Sequence, residues 1–326
     1  MTGVDGRVVG GRYRLVEPVG RGGMGRVWRG HDELLDRRVA VKEVLLPDGL
    51  APEARHELVL RMMREARVAA RLQHPGIVTV HDVVDDGDAP WVVMEFVAGR
   101  SLGAELTAEG RLPWRQVAAV GADIADALAH AHAAGVVHRD LKPDNVLLAG
   151  RRTVLTDFGI ARVLDATTKL TRTNAVIGTP QYMAPEQIDG ALTTPAGDMW
   201  SLGATLYAAL EGNPPFDAPS LFALFHAIMS APLRPAAHAG PLADVLAGML
   251  AKDPAERPDA ETVGAALRDA LGGPAREAAP TVVAVSAPTP TVAEPRPAAG
   301  PAPEPEPEPE PTVAAPGPTV TAAPQP

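Results

Sequence analysis

His138-Arg139-Asp140-Leu141-Lys142-Pro143-Asp144-Asn145 is the stretch whose reading decides the fold. It places an acid, a base and an amide within one short loop. Asp140 can accept a proton from a hydroxyl, Lys142 can neutralise a transferring phosphoryl group, and Asn145 offers a neutral oxygen to a divalent metal. Twelve residues after Asn145 comes Asp157-Phe158-Gly159, preceded by the apolar pair Val154-Leu155. This spacing predicts a short strand that delivers a second metal-binding carboxylate to the same place. His-Arg-Asp alone would read equally well as a capped turn at a helix exit. The whole octet followed at hairpin spacing by Asp-Phe-Gly is much harder to obtain by chance.

Composition narrows the alternatives. A chain of 326 residues, 46% hydrophobic and 21% charged, can bury the cores of two lobes. Its formal net charge of -10 argues against a nucleic-acid binder, which needs a basic face to meet phosphates. The absence of cysteine excludes disulfides, thiolate metal sites and a cysteine nucleophile. Residues 1–11 contain no apolar run of the kind a signal peptide needs, and no window approaches the roughly 20 apolar residues of a spanning helix. The expected location is the cytoplasm.

Upstream, residues 13–19 alternate apolar and polar side chains and lead into Gly20-Arg21-Gly22-Gly23-Met24-Gly25. These glycines also satisfy the dinucleotide fingerprint, which would require a helix to follow. Instead the chain gives Arg26-Val27-Trp28-Arg29, a polar turn over 31–36, and Val39-Ala40-Val41-Lys42, a hairpin running into a third strand. Glycines in such a turn let backbone amides approach phosphates, and Lys42 can supply a point charge to them. A solvated strand lysine is the bland alternative. Residues 53–72 read as one helix with Leu58, Met62, Ala66 and Ala69 in a stripe, Glu65 beside it, and Glu53 and Glu57 as other carboxylates.

Together with Gly178-Thr179-Pro180-Gln181-Tyr182-Met183-Ala184-Pro185-Glu186, these motifs closely resemble the eukaryotic-like (Hanks-type) serine/threonine protein kinases of bacteria, over roughly residues 13–271. The resemblance implies a two-lobed α+β protein kinase fold. It divides the chain into an extension (1–12), a kinase domain (13–272, with the N-lobe at 13–96 and the hinge and C-lobe at 97–272) and a tail (273–326). The implied reaction moves the γ-phosphoryl of ATP, with Mg2+ or alternatively Mn2+, to serine or threonine hydroxyls of protein substrates. Asp140, Lys142 and Asn145 are then catalytic, and Asn145 with Asp157 holds metal. Gly20, Arg21, Gly22, Gly23, Met24 and Gly25 cover the phosphates, Lys42 meets them, and Glu65 is the helix-borne partner of Lys42. Val19, Val27, Ala40 and Leu147 sandwich the adenine, Met94 is the gatekeeper, and the backbone of Glu95 and Val97 faces the base. His138, Phe158 and Gly159 support the loops, Thr179 with Lys142 marks serine/threonine specificity, Asp198 anchors the catalytic-loop backbone, and Glu186 expects Arg257 as its partner.

The remaining chain fits this frame. Residues 114–134 read as a helix ending at Gly135, followed by a Val136-Val137 strand, and residues 198–203, 220–230, 241–251 and 259–271 read as the helices of a second lobe. His130 and His132 invite a metal reading but stand two apart, on different helix faces. A pseudokinase scaffold is opposed by the intact Lys42, Asp140, Asn145 and Asp157. A small-molecule kinase is opposed by the 178–186 segment and by Arg139. Between Ile160 and Ile177, Thr171 and Thr173 are the expected autophosphorylation sites, modified in trans through a homodimer and paired with Arg139. From Pro274 the composition becomes rich in proline and alanine with no aromatic residue, so it cannot bury a core. The tripeptide Pro-Thr-Val recurs there at Thr281, Thr291, Thr312 and Thr319. These are candidate phosphothreonines for forkhead-associated domains, against the plainer reading of a solubilising linker.

Overall fold

The computed structural model describes residues 6–22, 25–46, 49–86, 89–158 and 180–272. The first lobe is a six-stranded antiparallel sheet plus one helix. Its strands are β1 (Val8–Val9), β2 (Tyr13–Gly22), β3 (Gly25–Asp32), β4 (Arg37–Val44), β5 (Val80–Asp86) and β6 (Ala89–Glu95), in the order β1-β2-β3-β4-β6-β5. The period-2 alternation of β4 and β6 explains why both faces are covered. Val39, Val41, Trp91 and Val93 pack on one side with Tyr13, Leu15 and Trp28. Ala40, Val44, Val92 and Met94 pack on the other against Leu58, Met62 and Ala66 of α1 (Pro52–Ala69). Strand pleating therefore puts Lys42, between Ala40 and Val44, on the face that looks toward α1 and the cleft.

Two residues assigned from sequence to an N-terminal extension belong to this sheet. Val9 is fully buried, with β1 paired to β2 through Val8↔Arg14 and Val9↔Tyr13. A two-residue strand is too short to show a period, so only the pairing reveals it. A charge cluster pins this edge. Arg12 donates from Nε and Nη2 to the two oxygens of buried Asp32, each at 2.7 Å, and the Tyr13 hydroxyl donates to Asp82 at 2.7 Å. The Arg12 guanidinium, opposed by burial and aided by the amides of Leu35 and Leu34, holds the Asp32 carboxyl well below the usual range. Burial first, then Asp82, pushes the Tyr13 phenol up.

The second lobe is helical. It begins with β7 (Arg100–Ser101) and α2 (Leu102–Glu109), capped by the Ser101 hydroxyl, and continues through α3 (Trp114–Ala133). The hairpin β8 (Val146–Ala149) and β9 (Arg152–Leu155) pairs with β7 in a three-stranded sheet. Then come α4 (Pro185–Ile188), α5 (Pro195–Glu211), α6 (Leu221–Ser230), α7 (Ala243–Met249) and α8 (Ala260–Ala270). Every residue of α5 from Gly197 to Leu210 is buried, which its nearly all-apolar sequence requires of a helix with no wet face. The lobes are stitched by backbone: the Val78 amide donates to the Leu155 carbonyl at 2.9 Å, and the Leu155 amide to that of Gly76 at 2.8 Å.

The expected strand at Val136-Val137 does not form. Gly135 takes a left-handed φ of 74° and the Val136 amide turns back to the Ala131 carbonyl, so the chain leaves α3 as a helix cap rather than entering a ladder. The expected helix over 241–251 is shorter, with a 3-10 turn at Gly240–Leu242 ahead of α7. Among the described residues, no helix is long and apolar enough to cross a membrane.

Candidate active site

The catalytic loop is built on one buried carboxylate. Asp198, in the first turn of α5 and 1% exposed, accepts the amides of His138 and Arg139 and lies against His132 Nε2, all at 2.8 Å. Arg139 sits at φ 73°, a left-handed conformation that costs a non-glycine residue about 1–3 kcal/mol. Its charge-assisted amide bond to Asp198 helps hold that turn. His132 thus has a partner that sequence reading did not identify. Its position two residues from His130 gave no hint that it faces α5. His130 stacks instead near His74, with ring centroids 5.2 Å apart, and no group suited to hold a metal ion through His, Asp or Glu alone occurs among the described residues.

His138 joins the loop to the strand that carries Asp157. Its Nδ1 accepts the Asp140 amide at 3.3 Å, so the neutral ring carries its proton on Nε2, which donates to the Thr156 carbonyl at 2.9 Å. Its ring packs on Phe158 at 4.6 Å between centroids. Asp140 Oδ2 receives Lys142 Nζ at 2.7 Å and Asn145 Nδ2 at 3.1 Å, and the same Asn145 nitrogen also reaches the Asp140 carbonyl at 2.7 Å. With its nitrogen so committed, the side-chain oxygen of Asn145 is the atom left to meet a cation. The Thr156 amide closes the loop on the Asn145 carbonyl at 2.9 Å.

Asp157 follows in left-handed backbone, φ 64°, and its Oδ1 lies 2.7 Å from Lys42 Nζ. Burial pushes its carboxyl up, but Lys42, aided by Lys142, outweighs that and holds it below the ordinary carboxylate range. This pairing corrects the expectation that Lys42 meets Glu65. Glu65 lies 3.6 Å from Arg139 Nη1 and 3.7 Å from Arg61 Nε, and its Oε2 is buried without a hydrogen bond. The reason is placement. Asp157 hangs directly over the lysine, while the turn of α1 aims Glu65 at the catalytic loop, where an arginine answers it.

Val27, Ala40, Met94, Val97 and Leu147 share one apolar cluster at the cleft. Val19 does not join them and is 51% exposed. Behind Met94 a small pocket is lined by Ala69, Val78, Val80, Val92, Asp157 and Phe158. The amide of Glu95 is spent on the Thr79 carbonyl at 2.8 Å and its carboxylate on Arg152 at 2.9 Å. Only its carbonyl is left for a base. Gly22 pairs with Gly25 across the glycine turn, with Gly20 and Arg21 on β2. Gly25, at φ 146°, has no room for a side chain, because a β-carbon there would run into the Glu43 carbonyl oxygen. Gly23, Met24, Gly159, Thr171, Thr173 and Thr179 lie outside the described residues. On the far side of the lobe, Arg257 grips Glu186 with two parallel bonds of 2.7 and 2.9 Å.

A β-rich lobe and a helical one thus meet at a cleft where a strand lysine, a loop aspartate, an asparagine and a second aspartate gather. The family model for the protein kinase domain matches residues 13–266. The chain belongs to the protein kinase family. It is 42% identical over 278 residues to serine/threonine-protein kinase PkaA of Streptomyces coelicolor, covering 80% of this chain and 50% of the relative. Serine/threonine-protein kinase PrkC of Bacillus subtilis is 40% identical, covering 66% of this chain and 33% of its own length. PknA of Mycobacterium tuberculosis is 43% identical, with 65% and 49% covered. The chain therefore spans about half the length, or less, of these curated relatives.

Proposed function

We propose that this chain is a serine/threonine protein kinase, transferring the γ-phosphoryl of ATP to hydroxyls of protein substrates in bacterial signalling. The observation that carries the reading is the arrangement at Asp140, whose Oδ2 gathers Lys142 and Asn145 while Asp157 stands on Lys42 in the same cleft. Asp140 orients the incoming hydroxyl and accepts its proton. Lys142, within reach of Asp140, neutralises charge on the phosphoryl group as it moves, and Lys42 meets the remaining phosphates. The side-chain oxygen of Asn145 and the carboxylate of Asp157 form a hard-oxygen donor set suited to Mg2+, with Mn2+ as the alternative. A metal held there would supply positive charge to offset that of the phosphates. Val27, Ala40, Met94, Val97 and Leu147 would enclose adenine. Lys42, which lies on Asp157 Oδ1, would share that carboxylate with the metal.

The direct test incubates the purified full chain with γ-labelled ATP and Mg2+, or Mn2+, and a general acceptor such as casein, followed by phosphoamino-acid analysis. Label on serine and threonine is expected. Nucleotide binding without any label transfer would make the chain a scaffold instead.

Regulation belongs to the same proposal. Phosphorylation of Thr171 and Thr173, in trans through a homodimer, would supply charge for Arg139, which now serves Glu65. Mass spectrometry of active enzyme should find at least one of these threonines modified, and replacing both with alanine should lower activity about tenfold or more. Full activity with neither residue modified would sink this part. For the tail, modification of Thr281, Thr291, Thr312 or Thr319 would create docking sites for forkhead-associated domains. Phosphate mapping after incubation with Mg-ATP, beside a version ending at Gly273, should place phosphate on these threonines and show tighter domain binding by the longer chain. Equal binding by both returns the tail to a linker. The cytoplasm is the expected place of action.

A further inference from the structure

Helix α1 presents a second, outward face. Leu60 and Val68 are 45% and 46% exposed there, although the opposite side of the same helix buries Leu58, Met62, Ala66 and Ala69. Helical spacing sets Leu60, Arg64, Arg67, Val68 and, two residues past the end, Arg71 along one stripe. Arg64, Arg67 and Arg71 are exposed. Among the described residues the only side-chain hydrogen bond they make is Arg64 Nε to the Leu60 carbonyl at 3.3 Å, and none has a carboxylate partner. In a chain of formal net charge -10 this concentration of unpaired guanidinium groups is an outlier. The helix dipole accounts for arginines near a C-terminus, but not for two aliphatic side chains held in water in line with them.

We propose that this stripe is a docking surface for an acidic polypeptide segment of a partner protein, one that carries aliphatic side chains between its carboxylates. Guanidinium groups favour forked pairing with carboxylates, and Leu60 and Val68 give the intervening side chains something to cover. Arg64 and Arg71 are about 10 Å apart along the axis at 1.5 Å per residue; an extended segment with a carboxylate at every fourth residue, about 13 Å apart, and an aliphatic residue midway turns both kinds of side chain to the helix within reach of the long arginine side chains. Charge complementarity and the aliphatic pair together select such a segment over a neutral apolar one. The surface lies on the back of the helix that carries Glu65 and would serve a partner with or without phosphoryl transfer in the cleft.

The test uses the full chain and two fluorescein-labelled peptides of nine residues, one repeating glutamate-serine-valine-serine, which sets glutamate and valine on one face, and one with lysine in place of glutamate, read by fluorescence anisotropy. The acidic peptide should bind the unmodified chain, more weakly as salt rises, and the lysine peptide should not. The triple substitution R64E/R67E/R71E should weaken acidic binding at least about tenfold, the sum expected from several exposed ion pairs, and allow the lysine peptide to bind. If that variant melts early, the neutral triple Arg64→Gln, Arg67→Gln, Arg71→Gln carries the same comparison. The pair Leu60→Ser and Val68→Ser should weaken acidic binding while leaving its salt dependence in place. Equal acidic binding before and after the triple substitution, or none to the unmodified chain, overturns the proposal. So does loss in the variant only of self-association, or only of binding to phosphatidylglycerol vesicles, since the face would then serve a second copy or a lipid surface.

Discussion

Replacing Asp140 by asparagine should leave nucleotide binding nearly unchanged and lower the phosphorylation rate by about 10²–10⁴-fold, the range spanned by loss of a positioned general base. The substitution keeps shape while removing charge. An asparagine can still present an oxygen to Lys142 and Asn145, which lie 2.7 and 3.1 Å from Oδ2, so the loop should keep its form. What is lost is the group that accepts the hydroxyl proton. The measurement is autophosphorylation of the purified full chain at saturating ATP, alongside nucleotide affinity. An Asp140→Asn protein that modifies itself at the unmodified rate would remove Asp140 from its role, whereas a parallel fall in nucleotide affinity would show a collapsed loop instead.

Arg257→Ala should cost about 3–5 kcal/mol of stability, the usual consequence of breaking a buried ion pair from one side. The guanidinium is fully enclosed. Beyond Glu186 it donates to the carbonyls of Ala251 at 2.8 Å, Ala196 at 2.9 Å and Lys252 at 3.1 Å, and it lies 5.1 Å from the Trp200 ring centre. Alanine would strand the Glu186 carboxylate and three carbonyls together. For a domain of this size the loss should lower the melting temperature by roughly 10 °C. Arg257→Lys keeps the charge but not the fork, and should fall between the two. A double substitution with Glu186→Gln should be less damaging than the sum of the single changes, because the stranded charge is gone. A loss below about 1 kcal/mol for Arg257→Ala would mean that water reaches the pair and that it does not hold α4 to the lobe.

Local sequence carried the glycine turn because the segment after it alternates as a strand, and alternation is a property of neighbouring residues. The same holds for the stripe on α1 and for the nearly all-apolar α5. It failed where the outcome depended on a partner far along the chain. β1 is defined by its pairing to β2, and the path of the catalytic loop by Asp198, which takes the His138 and Arg139 amides. His132 looked like a stray helix histidine until α5 was placed beside it.

The sequence by itself determined which chemical groups this protein owns and the order in which its elements present them: the octet at 138–145, Asp157 twelve residues on, Lys42 on a strand and Glu65 on a helix. Those follow from residue identity, spacing and short-range periodicity. Only the tertiary structure decided which opposite charges meet. Lys42 had two carboxylates it could serve, and Arg139 is exposed enough to take either a phosphate or Glu65. The choice rests on how α1 and the Asp157 turn sit over the sheet. Charge pairing falls steeply with separation and with water between the partners, so Asp157 at 2.7 Å holds the lysine while Glu65 turns to Arg139 at 3.6 Å.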